Sequence, residues 1–286
     1  PMEIVTTISA LRRMLDAHRC AGGTVGLVLT MGYLHEGHQS LMERSAAEND
    51  LTVSTVFVNP LQFAPGEDLD AYPRDPEGDA AKAEAAGTDL LFMPDGQEMY
   101  PTPPQTTVTV GAIAEPLEGA SRPTFFAGVA TVVAKLFAID GPCRSYFGEK
   151  EFKQMLVVRQ LAHDLSLPVE VVGCAIVREA DGLAMSSRNA YLQGADRVAA
   201  PVLQRALRHG AEVMDGGETE VVVIRRAIET VVAAEPRAEL DYVAVVDAAT
   251  LLPPERDVTE LRLLVAARVG PARLIHNIGA TRAPRS

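Results

Sequence analysis

Through the first two-thirds of the chain, short apolar runs alternate with amphipathic stretches, and this rhythm limits the possible folds more than any other feature. Val25–Thr30 (VGLVLT) and Leu51–Val58 (LTVSTVFV) read as strands, the second rich in β-branched residues. A helical segment is expected between them, from Gly37 to Ala47. Asp75–Ala86, rich in Ala, Lys and Glu, predicts a second helix leading into the short run Leu90–Met93 (LLFM). Gly128–Ala138 is an apolar helix candidate whose one charge is Lys135, and Ser145–Phe147 ends a further strand. Lys150–Leu161 places Phe152, Met155 and Leu156 on one helical face, and Val169–Val172 closes the series. Repeated strand–helix–strand units predict an α/β fold: a Rossmann-like parallel sheet with helices on both faces.

The rhythm changes after Val177. Two long helical stretches, near Ala195–Val213 and Glu218–Ala234, flank the stop signal Asp215-Gly216-Gly217. Strand candidates follow at Leu240–Val246, Leu261–Ala267 and Arg273–Ile275. These segments predict a smaller α+β C-terminal domain, with domains at 1–176 and 177–286. A chain of 286 residues suits two domains and buries its core without disulfide or metal staples. Cys20, Cys143 and Cys174 have no metal-type spacing and read as free thiols of a reducing compartment. No apolar run of membrane-spanning length and no signal-peptide pattern is present, so a cytoplasmic location is expected. Pro1 ahead of Met2 reads as a cleavage scar, making Met2 the expected natural start. The net charge of −12 argues against a general nucleic-acid or membrane-surface partner, because a phosphate backbone requires a basic footprint.

The richest chemistry lies in Thr30–His38 (TMGYLHEGH), directly after a predicted strand and at the start of a helix. Open α/β sheets bind ligands at such junctions. A helix N-terminus offers unpaired N–H groups and the positive end of a dipole, which favours phosphate. His35 and His38, three apart, can lie on one side of the first turn and add donors, and Gly32 allows a close backbone approach. The spacing alone also admits a zinc pair or two incidental surface histidines. With no Walker A or G-x-G-x-x-G loop in the chain, a nucleotide would have to use this turn. A second segment, Met185-Ser186-Ser187-Arg188-Asn189, follows the loop residues Asp181-Gly182. Its hydroxyls and guanidinium suit a triphosphate that releases pyrophosphate.

The histidine turn and the MSSRN loop together resemble the H-x-G-H nucleotidyltransferase superfamily, and further segments narrow the resemblance to the pantoate–β-alanine ligase family. They are Phe57–Phe63 (FVNPLQF), Glu67–Arg74 (EDLDAYPR), Leu117–Pro123 (LEGASRP), Phe147–Lys150 (FGEK), Val177–Asn189 (VREADGLAMSSRN) and Leu264–Arg268 (LVAAR). The resemblance implies an ATP- and pantoate-binding N-terminal domain and a C-terminal lid domain. It implies ATP-dependent joining of pantoate to β-alanine through an acyl adenylate, with Mg²⁺, no nucleic-acid or membrane partner, and a homodimeric assembly.

By the same resemblance ATP contacts fall on Met31, Gly32, His35, His38, Gly148, Glu149, Lys150, Glu151, Val177, Met185, Ser186, Ser187 and Arg188. His38, His35 and Lys150 would be catalytic, with His38 a proton donor titrating near neutrality. Gln62 and Gln154 would hold the hydroxy acid, an uncharged amide being both donor and acceptor. Lys150 and Gln154, four apart, are expected on one helix face. Ligands for Mg²⁺ are not visible in the sequence. The chain departs from the family's usual residues at Leu29, Leu61, Phe125, Glu151 and Ala175. Leu29, Phe125 and Glu151 leave open a paralogous ligase for another acid and amine, or a degraded nucleotide-binding relative.

Overall fold

The computed structural model describes residues 1–65, 69–117, 119 and 124–283. Glu67, Asp68 and Arg122, which belong to two of the family-like segments, lie outside the described residues. The chain divides into two units, residues 1–175 and 176–286. The first contains β1 (Glu3–Val5), α1 (Ile8–Cys20), β2 (Val25–Thr30), α2 (Glu36–Glu48), β3 (Leu51–Val56), α3 (Pro76–Ala85), β4 (Leu90–Phe92) and α4 (Gly96–Met99). It continues through α5 (Phe125–Asp140), β5 (Cys143–Gly148), α6 (Phe152–Asp164) and β6 (Val169–Cys174).

Its six strands form one parallel sheet in the order β1-β4-β3-β2-β5-β6. β2 is central, and Val25, Leu27 and Val28 are almost completely buried there. β3 buries Thr52, Ser54 and Thr55 despite their hydroxyls. The hydroxyl pairs Ser45–Thr52 at 2.9 Å and Ser54–Thr88 at 2.8 Å satisfy two of these groups, removing much of the penalty for burying them. From β2 the chain steps outward to β3 and β4, then returns to the other side of β2 for β5 and β6. The reversal falls between β2 and β5, so the loops at their C-terminal ends border the crevice where such sheets bind ligands. β1 and α1 precede the first expected strand. Their signal is weak: β1 has three residues with Glu3 and Ile4 exposed, and α1 buries only Leu11 and Leu15.

The second unit contains α7 (Gly194–Ala199), α8 (Val202–Asp215), α9 (Val221–Ala233), β7 (Ala238–Asp247), β8 (Glu260–Val269) and β9 (Ala272–Thr281). Its strands form an antiparallel sheet in the order β7-β8-β9. Leu203 and Leu207 of α8, Ile224 and Ile228 of α9, and Leu263 and Val265 of β8 share its core and are fully buried. The single helix expected over 195–213 is instead two, α7 and α8. Pro201, between them, has no N–H to give a continuing helix, and its ring crowds the preceding turn. β9 runs well past the expected 273–275, because the buried polar pair His276 and Asn277 hides its apolar alternation. Among the described residues no helix is long and apolar enough to cross a membrane.

Candidate active site

The segment leaving β2 is held from its first residue. Thr30 donates its hydroxyl to the Thr55 carbonyl at 2.6 Å and accepts the Gly32 N–H at 3.1 Å. Gly32 (φ 83°) and Tyr33 (φ 52°) are two successive left-handed residues, uncommon for a tyrosine. Asp79, buried on α3, accepts the Tyr33 N–H at Oδ2 (2.9 Å) and the Leu34 N–H at Oδ1 (2.7 Å). A Cβ on Gly32 would stand 2.8 Å from Asp79 Oδ2, so this glycine makes room for a carboxylate of the protein itself. One turn further along α3, Lys82 Nζ donates to the Leu34 carbonyl at 2.8 Å.

His35 caps α2, its Nδ1 accepting the Gly37 N–H at 3.1 Å. His38 Nδ1 accepts the His35 backbone N–H at 3.3 Å, and the two ring centroids are 4.1 Å apart. Burial lowers the pKa of His38 to about 3, helped by His35 and by the nearby ammonium groups of Lys150 and Lys82. The His35 pKa is lowered by burial, then by Lys150 and Lys82, with Glu36 opposing. This corrects the expectation that His38 titrates near neutrality: in the free protein it is a neutral imidazole at pH 7. Since each Nδ1 is an acceptor, the remaining ring proton of each histidine resides on Nε2. The pair therefore offers two neutral N–H donors.

At the end of β5, Gly148 leads into the tight turn Glu149–Glu151, and Lys150 Nζ pairs with Glu151 Oε1 at 2.8 Å. α6 begins only at Phe152, so the expected helical i,i+4 relation of Lys150 and Gln154 does not hold. Lys150 instead belongs to the turn, close enough to the imidazoles for its charge to depress their pKa. Gln154 lies half-buried in the first turn of α6, and Met31 half-buried after β2.

After β3, the turn Pro60–Gln62 carries Gln62, which is buried. Gln62 Oε1 accepts from Asn59 Nδ2 at 3.0 Å, and Asn59 Oδ1 accepts the Tyr100 hydroxyl at 3.0 Å. Burial pushes the Tyr100 pKa up to about 12, so its hydroxyl stays protonated at neutral pH. Gly128 lets α5 abut this turn, because a Cβ there would run into the Leu61 carbonyl oxygen.

Motif reading missed Asp79, Lys82 and Tyr100. For Asp79 one signal was available: it lies four residues before Ala83, and both are buried on the same face of α3.

In the second unit, Val177 and Met185 close a short hairpin. The Met185 N–H donates to the Val177 carbonyl at 2.9 Å, Arg178 bridges Ala184, and Gly182 turns at φ 91°. Arg197 of α7 holds Glu179 at 2.6 Å and Asp181 at 2.5 Å, while Asn189 Nδ2 reaches Glu179 Oε1 at 2.9 Å. Ser186 caps the turn Ser187–Tyr191 by accepting the Arg188 N–H at 3.2 Å. Met185, Ser186 and Ser187 are half-buried and Arg188 is exposed. Among the described residues no group of three or more His, Cys, Asp or Glu could hold a metal ion.

The family model described as pantoate-beta-alanine ligase matches residues 3–279. Pantothenate synthetase from Roseiflexus sp. (strain RS-1) is 53% identical over 276 residues, 96% of this chain and 98% of the relative. The crystal structure of pantothenate synthetase from Thermus thermophilus superimposes with a TM-score of 0.91 at 50% identity, covering 97% of this chain and 99% of the other. Pantoate-beta-alanine ligase from Francisella tularensis, crystallised with β-γ ATP and β-alanine, gives a TM-score of 0.79 at 30% identity, with 97% of each chain covered. The match spans the parallel sheet with its histidine turn and the antiparallel unit with its MSSRN loop alike, and the chain therefore belongs to the pantoate-beta-alanine ligase family.

Proposed function

We propose that the chain condenses pantoate with β-alanine at the expense of ATP, using the loops after β2, β3 and β5 and the MSSRN segment. In the first half-reaction a carboxylate oxygen of pantoate attacks the α-phosphorus, and the bond to the pyrophosphate leaving group breaks. In the second, the β-alanine amine attacks the acyl carbon of the pantoyl adenylate, AMP departs, and the nitrogen releases a proton. The products are pantothenate, AMP and pyrophosphate.

The observation that best supports this reading is the gathering of two neutral imidazoles and Lys150 at the point where the strand order reverses. Preformed N–H donors stabilise phosphate charge that builds up in a transition state, and they need no proton transfer to do so. His35, His38 and Lys150 serve this purpose, with Met31, Gly32, Gly148, Glu149 and Glu151 lining the nucleotide. In the second unit Val177 meets the adenine, and Met185, Ser186, Ser187 and Arg188 bind the phosphate chain. Gln62, its Oε1 tied to Asn59, and Gln154 hold the hydroxy acid. Uncharged partners leave the attacking carboxylate nucleophilic.

Mg²⁺ enters with ATP, neutralising the triphosphate. We take the ion to be part of the nucleotide substrate; among the described residues no group of three or more His, Cys, Asp or Glu could hold a metal ion. A homodimeric, cytoplasmic enzyme completes the proposal, supported by the family resemblance.

Isotope exchange between pyrophosphate and ATP tests the first half-reaction, and AMP release across a matrix of acids and amines tests the second. Exchange that requires pantoate, with AMP released fastest for pantoate plus β-alanine, is the expected result. A different acid–amine pair turning over at least 100-fold faster would overturn it.

A further inference from the structure

The histidine turn is fastened by a helix that no motif marks. α3 presents Asp79 and Lys82, three residues apart and so on one face, to the backbone of Tyr33 and Leu34. Asp79 accepts the N–H groups of both residues, one on each carboxylate oxygen, at 2.9 and 2.7 Å. Lys82 donates to the Leu34 carbonyl at 2.8 Å, so both polar groups of that residue's backbone are bound by side chains of α3. The next residue is His35, the cap of α2, whose own N–H fixes His38 Nδ1.

We propose that Asp79 and Lys82 are positioning residues for the ATP site, holding the Tyr33–Leu34 backbone so that His35 and His38 present their Nε2–H donors together. The inference rests on the reading that this turn binds the nucleotide. A carboxylate suits the task because it alone accepts two adjacent N–H groups without offering a competing donor. The clamp also offsets the cost of a left-handed Tyr33. Lys82 has a second effect. Among the described residues no carboxylate pairs with it, and its charge adds a small push in the same direction as burial and Lys150, both of which do more to lower the pKa of the two imidazoles.

The arrangement separates positioning from mere stability. A phosphate donor displaced by about 1 Å can lose on the order of 10²-fold in rate even in a protein that remains folded. Asp79→Asn replaces one acceptor oxygen by an N–H donor facing a backbone N–H. It should lower the pyrophosphate-exchange rate about 10- to 100-fold per folded molecule while leaving KM for pantoate within about threefold. Lys82→Met keeps the bulk of a half-buried side chain and spares the fold. It should raise KM for ATP several-fold, and Lys82→Arg, which keeps donor and charge, should restore it.

Imidazole ¹⁵N shifts at pH 7 supply a readout that simple destabilisation does not move. The wild type should show one tautomer for each ring, and Asp79→Asn a tautomer mixture for His38. His38→Ala is the control: unchanged exchange in that variant would refute the nucleotide reading itself. If His38→Ala is impaired, the positioning proposal is overturned by either of two results. One is a Lys82→Met enzyme with unchanged KM for ATP. The other is an Asp79→Asn enzyme that loses exchange only in proportion to its folded fraction and keeps wild-type ring shifts.

Discussion

The histidine turn and the MSSRN loop carry similar chemical equipment, N–H and O–H donors beside a cation, but they are built in opposite ways. In the turn, the N–H groups of Gly32, Tyr33, Leu34, His35 and Gly37 each meet a side-chain acceptor: Thr30, Asp79 twice, His38 and His35. In the loop, Arg197 and Asn189 staple the hairpin base, and beyond it the Ser186 hydroxyl accepts the Arg188 N–H while its carbonyl accepts the Asn189 N–H. Among the described residues the Arg188 guanidinium makes no hydrogen bond or ion pair, and its side chain is exposed. A preformed donor acts without further ordering, whereas a free long side chain costs roughly 1–2 kcal/mol of rotamer entropy when a ligand fixes it. The first design suits stabilisation of a fleeting charge. The second suits a contact made when nucleotide arrives.

The largest effect that this contrast predicts belongs to the turn. His38→Ala should slow pyrophosphate exchange by about 10²- to 10³-fold, as loss of a preorganised donor does, with a smaller change in ATP affinity. Near-normal exchange would erase the distinction between the two regions. Next comes the loop. Arg188→Ala should raise KM for ATP by about tenfold, the cost of one charge-assisted contact. In the wild type, hydrogen-exchange protection across residues 181–189 should rise on adding ATP and Mg²⁺. Protection already complete without nucleotide would mean that the loop is as preformed as the turn.

The smallest effect concerns acid stability. Unfolded, an imidazole takes up its proton near pH 6.5; in the folded protein His38 does so near 3. Between these values the unfolded chain binds more protons, so this contribution is complete above pH 6.5 and is lost as pH falls towards 3. The gap in melting temperature between wild type and His38→Asn should therefore shift against the wild type as pH is lowered from 7 to 4.5. A gap that does not vary with pH would show that the ring is not held neutral by its surroundings.

Strands buried on both faces were readable because nothing polar interrupts β2, and because the hydroxyls of β3 are compatible with a β-branched run. The histidine turn announced itself by residue type. What supports it did not: Asp79 stands in an Ala- and Glu-rich helix where a carboxylate ordinarily faces water, and its role depends on a chain crossing some 45 residues away. The Tyr100–Asn59–Gln62 relay is equally non-local. The neutrality of His38 follows from burial and two lysines, which residue type cannot convey. The helix break at Pro201, by contrast, was in plain view, and there local backbone chemistry overrides apolar spacing.

The strand order also acts as a ruler. β3, β2 and β5 are consecutive neighbours in the sheet, and parallel strands repeat every ~4.8 Å, so the loops that follow them start roughly 10 Å apart from first to last. Gln62 follows β3, the histidines follow β2 and Lys150 follows β5. In the proposed site the acid, held by Gln62 after β3 and by Gln154 on the helix after β5, would lie across the middle mark, with the α-phosphate at the imidazoles. Hydrogen-bond spacing in the sheet would then gauge the length of the acid, and a longer one would overrun the outer marks.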